Sequence, residues 1–153
     1  MDIGNTYNID IHKMTSEDFE GAAALEKEIF SHGMNASDFA KACEHEENIY
    51  TAACIDGCVA AYCTVTALYE DADLCNIAVD ASYRQMNIGT MLMEETIRLC
   101  RQKGVKRIFL EVRESNSIAI NFYKKMKFFE INKRKRYYKE PEEDALIMCR
   151  DIK

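Results

Sequence analysis

Glu111 is a lone carboxylate inside the apolar run of residues 108–112. A charge flanked by Leu110 and Val112 is costly to bury unless it is paired or used. Two readings follow: a general base, or a carboxylate bonded to Arg113 or already in water at a strand end. The segment Tyr83-Arg84-Gln85-Met86-Asn87-Ile88-Gly89-Thr90 joins an apolar strand to an amphipathic helix. Such a loop offers unpaired N–H groups and the positive end of a helix dipole, so it can hold phosphate oxygens without a lysine, with Arg84 adding charge. No G-x-G-x-x-G follows a strand and no G-x-x-x-x-G-K-[ST] occurs, so an ordinary strand-to-helix turn is the other reading. Tyr123 offers a phenol, or extends a helix packing face with Ala119 one turn earlier. Tyr137 and Tyr138 either close over a ligand or pack within a late strand.

Composition narrows the chemistry. A length of 153 residues predicts one domain, 1–153, and 48% hydrophobic with 30% charged residues is that of a globular chain. The seven cysteines form no C-x-x-C pair, and His12, His32 and His45 add no metal-ligand spacing, so no metal is expected and most cysteines read as buried thiols. No run of about 18 apolar residues occurs, and the start, with Asp2, Asn5, Asn8 and Asp10, lacks the order of a secretory signal. A soluble cytoplasmic protein without membrane contact is expected. The net charge of -6 divides unevenly: residues 1–80 carry 16 acidic residues against 3 lysines, residues 81–153 carry 17 basic against 10 acidic. Either two solvated faces differ in sign, or the first half meets a cationic substrate and the second an anionic ligand. An acidic chain disfavours nonspecific nucleic-acid binding.

These residues need elements to hold them. The pattern predicts a strand at 7–11, a helix opened by Thr15 or Ser16, a break from His32 to Asn35, and a second helix at 37–45 with Phe39 inward. Strands at 49–55 and 59–68 flank Asp56-Gly57, a strong hairpin signal. Residues 74–79 form the next strand. Ile88, Leu92, Met93, Ile97 and Cys100 stripe one helix face, with Glu94 and Arg98 paired outside and Gly104 as C-cap. A strand at 108–112 lacks clean alternation and reads as covered on both faces. A helix capped by Ser115 or Asn116 and strands near 128–138 and 145–149 complete an α/β (α+β mixed) order.

Four blocks in this order, Asn76-Ile77-Ala78-Val79-Asp80, residues 83–89, Leu110-Glu111-Val112-Arg113 with Ser115-Asn116, and Ala119-Ile120-Asn121-Phe122-Tyr123 ending at Phe128, closely resemble the acetyl-CoA half of GNAT-type N-acetyltransferases. Tyr137-Tyr138 followed by Glu143-Asp144-Ala145 is similar to the bacterial ribosomal-protein-alanine N-acetyltransferases in particular. The resemblance implies a central, mostly antiparallel mixed sheet of six to seven strands flanked by about four helices. It implies acetyl-CoA or CoA held by Ile77, Ala78, Val79, by Arg84, Gln85, Met86, Asn87, Ile88, Gly89 and Thr90, and by Asn116 and Tyr123. Glu111 matches the family's general base, and Tyr123 its general acid toward the CoA sulfur. Met34, Asn35 and Phe39 fall where the family's substrate-side helix lies, and Tyr137 and Tyr138 complete the expected substrate side. Two positions depart: Asn87 and Lys127 stand where the family has glycine, and asparagine tolerates positive φ best among the other residues.

The implied reaction is direct attack of an amine on the acetyl thioester, with a backbone N–H such as that of Val79 polarising the carbonyl. The implied acceptor is the N-terminal alanine of a ribosomal protein, with Glu44, Glu46 and Glu47 available to attract a basic chain. A small amine acceptor and a non-catalytic acyl-CoA-binding module are the alternatives, and a monomer or weak dimer is expected.

Overall fold

The computed structural model describes residues 7–30 and 33–153; His32, Asp2 and Asn5 lie outside them. The chain runs β1 (Ile9–Lys13), α1 (Phe19–Ile29), α2 (Ala36–Cys43), β2 (Asn48–Ile55), β3 (Cys58–Leu68), β4 (Asp71–Val79), a 3-10 turn (Ala81–Tyr83), α3 (Ile88–Gln102), β5 (Arg107–Arg113), α4 (Ser117–Lys125), β6 (Phe129–Lys139) and β7 (Glu142–Asp151). The strands form one sheet ordered β1-β2-β3-β4-β5-β7-β6, antiparallel except between β4 and β5. This is the mixed α/β architecture expected.

Local chemistry sets most boundaries. Asp56 and Gly57 both take positive φ, 48° and 84°, the requirement of a two-residue hairpin turn whose twist matches its strands. Gly104, at φ 83°, ends α3 in a Schellman pair: Val105 N–H bonds Cys100 O, and Gly104 N–H bonds Arg101 O. The α3 stripe of Ile88, Leu92, Met93, Ile97 and Cys100 is buried against β2 and β3, while α1 and α2 cover the other face over Tyr50, Ala52, Tyr62 and Ala78.

Several expectations are corrected. β5 alternates cleanly, with Ile108, Leu110 and Val112 inward and Arg107 and Glu111 outward, so it is covered on one face only. β1 lies two residues later than predicted because its ladder runs from Ile9 opposite Ile55 to Lys13 opposite Thr51. α1 starts at Phe19, not at Thr15 or Ser16, because the Asp18 side chain turns back to accept from Thr15 N. Arg98 pairs with Glu95 rather than Glu94. β4 begins at Asp71, ahead of the apolar run, where Arg107 of β5 meets its carboxylate at 3.1 Å.

Candidate active site

The parallel pair β4 and β5 is joined only at its start, with Asp71 opposite Arg107, Ala72 opposite Ile108 and Asp73 opposite Phe109. Immediately beyond, the register of β4 against β3 slips so that Cys75 is an extra residue between Leu74 and Asn76. A bulge bends its strand and increases the local twist. From Asn76 to Val79, β4 pairs with β3 on one side and, among the described residues, with no strand on the other. The parting leaves a cleft of about 1240 Å³ lined from β4 by Ile77, Ala78 and Val79, from β5 by Leu110, Glu111 and Arg113, and from α4 by Ala119, Phe122 and Tyr123.

At one end lies the turn before α3. Asn87 is its N-cap at φ 58°, ψ 20°, the left-handed conformation that asparagine tolerates. The first intrahelical bond runs from Met91 N to Asn87 O, so the N–H groups of Ile88, Gly89 and Thr90 precede the helix ladder. The Arg84 guanidinium bonds Val79 O at 3.4 Å, tying the turn to the end of β4. Arg84, Asn87, Gly89 and Thr90 of this segment line the cleft, as do Asn116 and Lys125 at the two ends of α4. A Cβ on Gly89 would sit 3.5 Å from Phe122 and 3.7 Å from Val79, ordinary contacts, so the protein's own packing does not require glycine there.

Tyr123 is held by the end of α4. Phe128 N–H bonds Tyr123 O, Lys127 N–H bonds Lys124 O, and Lys127 takes φ 68°, a Schellman cap with lysine at the left-handed position. The Phe128 ring then packs edge-on against Tyr123 at 5.8 Å. Tyr123 is 8% exposed, and its burial, with smaller contributions from Cys63 and Tyr138, pushes the phenol well above its ordinary range. Asn116 Oδ1 accepts the Ala119 N–H at 3.2 Å, which fixes the side chain as the cap of α4.

Glu111 is not the buried charge its flanks suggested. Its side chain is 33% exposed toward the cleft, and its ion-pair partner is Arg134 at 3.4 Å rather than Arg113. Arg113 instead pairs with Glu143 and lies 4.2 Å over the Tyr138 ring. Glu111 also accepts from Tyr137, whose pKa is raised by that hydrogen bond and by the charge of Glu111. Tyr137 and Tyr138 pack edge to face at 5.1 Å and both line the cleft. Arg134 carries no signal in the sequence, because two irregularities in β6 break the period that would reveal its face.

The remaining substrate-side residues part company. Phe39 is fully buried, edge-on to Tyr50 and Tyr62, and cannot touch a ligand, which corrects its assignment. Met34 and Asn35 line a separate shallow hollow with Phe30, a residue shared with the cleft wall, and Asn35 caps α2 with Asp38. Gln85 and Met86 lie within the turn but do not line the cleft. The acids Glu44, Glu46 and Glu47 sit at the wrong end. Lys103 bonds Glu46 O beyond the C-terminus of α3, roughly 20 Å along that helix from the turn at 1.5 Å per residue.

Among the described residues His12, Asp18 and Cys54 form one group able to hold a metal. Their atoms already satisfy one another: His12 Nε2 meets Asp18 Oδ2 at 2.8 Å, and the Cys54 thiol donates to Asp18 Oδ1 at 3.4 Å. Burial opposes both charges, yet Asp18 and then Asp10 leave His12 raised, and the Thr15 N–H, then His12 and Cys54, leave Asp18 lowered, the signature of a structural knot between β1, β2 and α1.

The Acetyltransferase (GNAT) family model matches residues 9–128. The chain belongs to the GNAT acetyltransferase family. It is 34% identical over 143 residues to a Bacillus subtilis (strain 168) protein provisionally named a ribosomal protein bS18-alanine N-acetyltransferase, covering 90% of this chain and 92% of that one. It is 37% identical over 99 residues to the ribosomal protein bS18-alanine N-acetyltransferase of Escherichia coli (strain K12), covering 63% of this chain and 67% of the other. The crystal structure of the ribosomal-protein-S18-alanine N-acetyltransferase from Escherichia coli superposes with a TM-score of 0.83 at 30% identity, covering 95% and 94% of the two chains. As a GNAT member the chain is an acetyl-CoA-dependent N-acetyltransferase. The site suits that cosubstrate: an open strand edge for an amide-bearing arm, and the N–H groups of Ile88, Gly89 and Thr90 ahead of the helix ladder for phosphate.

Proposed function

We propose that this enzyme acetylates the N-terminal α-amine of a protein beginning with alanine, with a ribosomal protein as the acceptor. The observation that carries the reading is the placing of Glu111 and Tyr123 on the walls of one cleft, facing the unpaired edge of β4. The names of relatives at 34% and 37% identity support the acceptor.

Acetyl-CoA supplies an acetyl group activated as a thioester. Ile77, Ala78 and Val79 hold its arm through main-chain groups, and the turn at 84–90 with Asn116 holds its phosphates and ends. An α-amine with a pKa of about 8 is roughly one-tenth neutral at pH 7, whereas a lysine at about 10.4 is hundreds of times less so. A partly solvated carboxylate is therefore base enough: a Glu111 Oε takes the ammonium proton, directly or through one water. The Val79 N–H is the donor aimed at developing oxyanion charge. Tyr123 Oη keeps its proton and offers it to the departing sulfur.

The test is a thiol-release assay with two peptides of one sequence, one with a free N-terminal alanine, the other N-terminally blocked and carrying lysine. Turnover of the free alanine peptide alone is expected. Turnover of the blocked peptide, or of spermidine in place of both, would move the acceptor to an ε-amine or a small amine.

A further inference from the structure

Glu111 does not wait empty. On the uncovered face of the sheet, Arg113 of β5, Ala145 of β7 and Arg134 of β6 lie in one row, with Glu111 opposite Ile147 in the next. Arg134 starts two strands from β5, roughly 10 Å at 4.8 Å per strand. Its side chain crosses above the small Ala145 to bring a guanidinium nitrogen 3.4 Å from Glu111 Oε1. β6 is shaped for this. Arg134 faces Ala145 and Tyr138 faces Glu143, so residues 135–137 oppose Asp144 alone, with Arg136 at φ 53° and its N–H held by Asp144 Oδ1 at 2.9 Å. In an unbroken strand Arg134 and Tyr137 would point to opposite faces. The bulge lets both reach the cleft, where the Arg134 guanidinium also lies 5.6 Å over the Tyr137 ring.

We propose that Arg134 is an internal stand-in for the acceptor's ammonium, occupying Glu111 in the free enzyme and displaced when a cationic amine binds. The proposal rests on the reading of Glu111 as the residue that receives the acceptor's proton. The contact suits a latch rather than a strut. Both side chains reach solvent, at 56% and 33% exposure, so the pair is weak. Arg134 also keeps its place over Tyr137 once released, because cation–π attraction does not need Glu111. Arg113 lacks this freedom, being bonded to Glu143, Pro141 O and Glu140 O. Arg134 is thus a positioning residue: it shields the base from stray cations and sets the threshold that an acceptor's positive end must exceed.

The test is calorimetric titration of the CoA-saturated enzyme, in wild-type and Arg134→Gln forms, with an alanine-initiated peptide and with its N-acetylated twin. The acetylated peptide has no ammonium and cannot compete for Glu111. Arg134→Gln is expected to tighten the free-amine peptide about two- to fivefold, the range of an exposed ion pair, and to leave the acetylated peptide unmoved. Arg134→Lys, which keeps the charge, should resemble wild type. Equal tightening of both peptides would mean that only bulk was removed. No change, or weaker binding of the free amine, would make Arg134 a bystander or an acceptor contact, and each result overturns the latch. If the alanine peptide binds neither protein, the acceptor proposal has failed separately. The comparison is then read on whichever amine is turned over among glycine, serine and methionine N-termini and spermidine.

Discussion

Burial sets the work that each catalytic candidate can do. An ordinary phenol near pKa 10 is already a weaker acid than a thiol near 8.5, so full proton transfer to a thiolate is uphill by about 2 kcal/mol. Burial of Tyr123 widens that gap. The phenol's contribution is then a hydrogen bond to growing negative charge, worth about 1.5–3 kcal/mol, or roughly 10- to 100-fold in rate. Tyr123→Phe should lower kcat by that factor. Because a raised pKa keeps the proton on Tyr123 at every pH below it, the wild-type and Tyr123→Phe rate profiles should run parallel from pH 6 to about 9.5. An alkaline fall present only in wild type would show the phenol titrating in range. Glu111→Gln, measured in the same series, should cost about 10²-fold or more with acetyl-CoA affinity retained. Turnover equal to wild type would remove Glu111 from the mechanism.

Elements were legible where residues speak locally. The Asp56-Gly57 hairpin, the α3 stripe and the Gly104 cap appear in the structure as the sequence spells them, because turn chemistry and a 3.6-residue period act over a few neighbours. What stayed hidden was tertiary. Arg107 draws Asp71 into β4, the β6 irregularities turn Arg134 toward Glu111, and one-sided cover of β5 leaves Glu111 half in water. The turn before α3 yields a prediction in which stability and binding move oppositely. Within a helix, alanine is more stable than glycine by roughly 0.5–1 kcal/mol, and a Cβ at Gly89 meets only ordinary contacts. Gly89→Ala should raise the melting temperature of the free enzyme by a degree or more while weakening acetyl-CoA binding, since the methyl adds bulk to the cleft wall beside Phe122 and Val79. Melting curves and titration calorimetry on one preparation separate the two. Unchanged affinity would mean that the ligand passes the turn without close approach.

At the scale of the molecule, the charge asymmetry of the sequence divides between its two readings. The basic second half does supply the cleft, through Arg84, Lys125 and Arg134, but the acidic triplet of Glu44, Glu46 and Glu47 lies at the far end of α3 and solvates that end. The sheet itself is two ladders, β1 to β4 and β5 with β7 and β6, joined by three residue pairs at the foot of β4 and β5. A ligand lying along Asn76 to Val79 and touching α4 ties the ladders together where the backbone does not. Linkage gives about 2.7 kcal/mol at one hundred times Kd, and near 3 °C per kcal/mol for a chain of this size, a rise of about 8 °C in melting temperature. Amide exchange should slow most at β4 residues 76–79 and at the α3 N-terminus, with β1 and β2 changing only as global stability rises. A shift without that local pattern would place the ligand outside the parting of the strands, and no shift at saturating acetyl-CoA would detach the cleft from the family's chemistry.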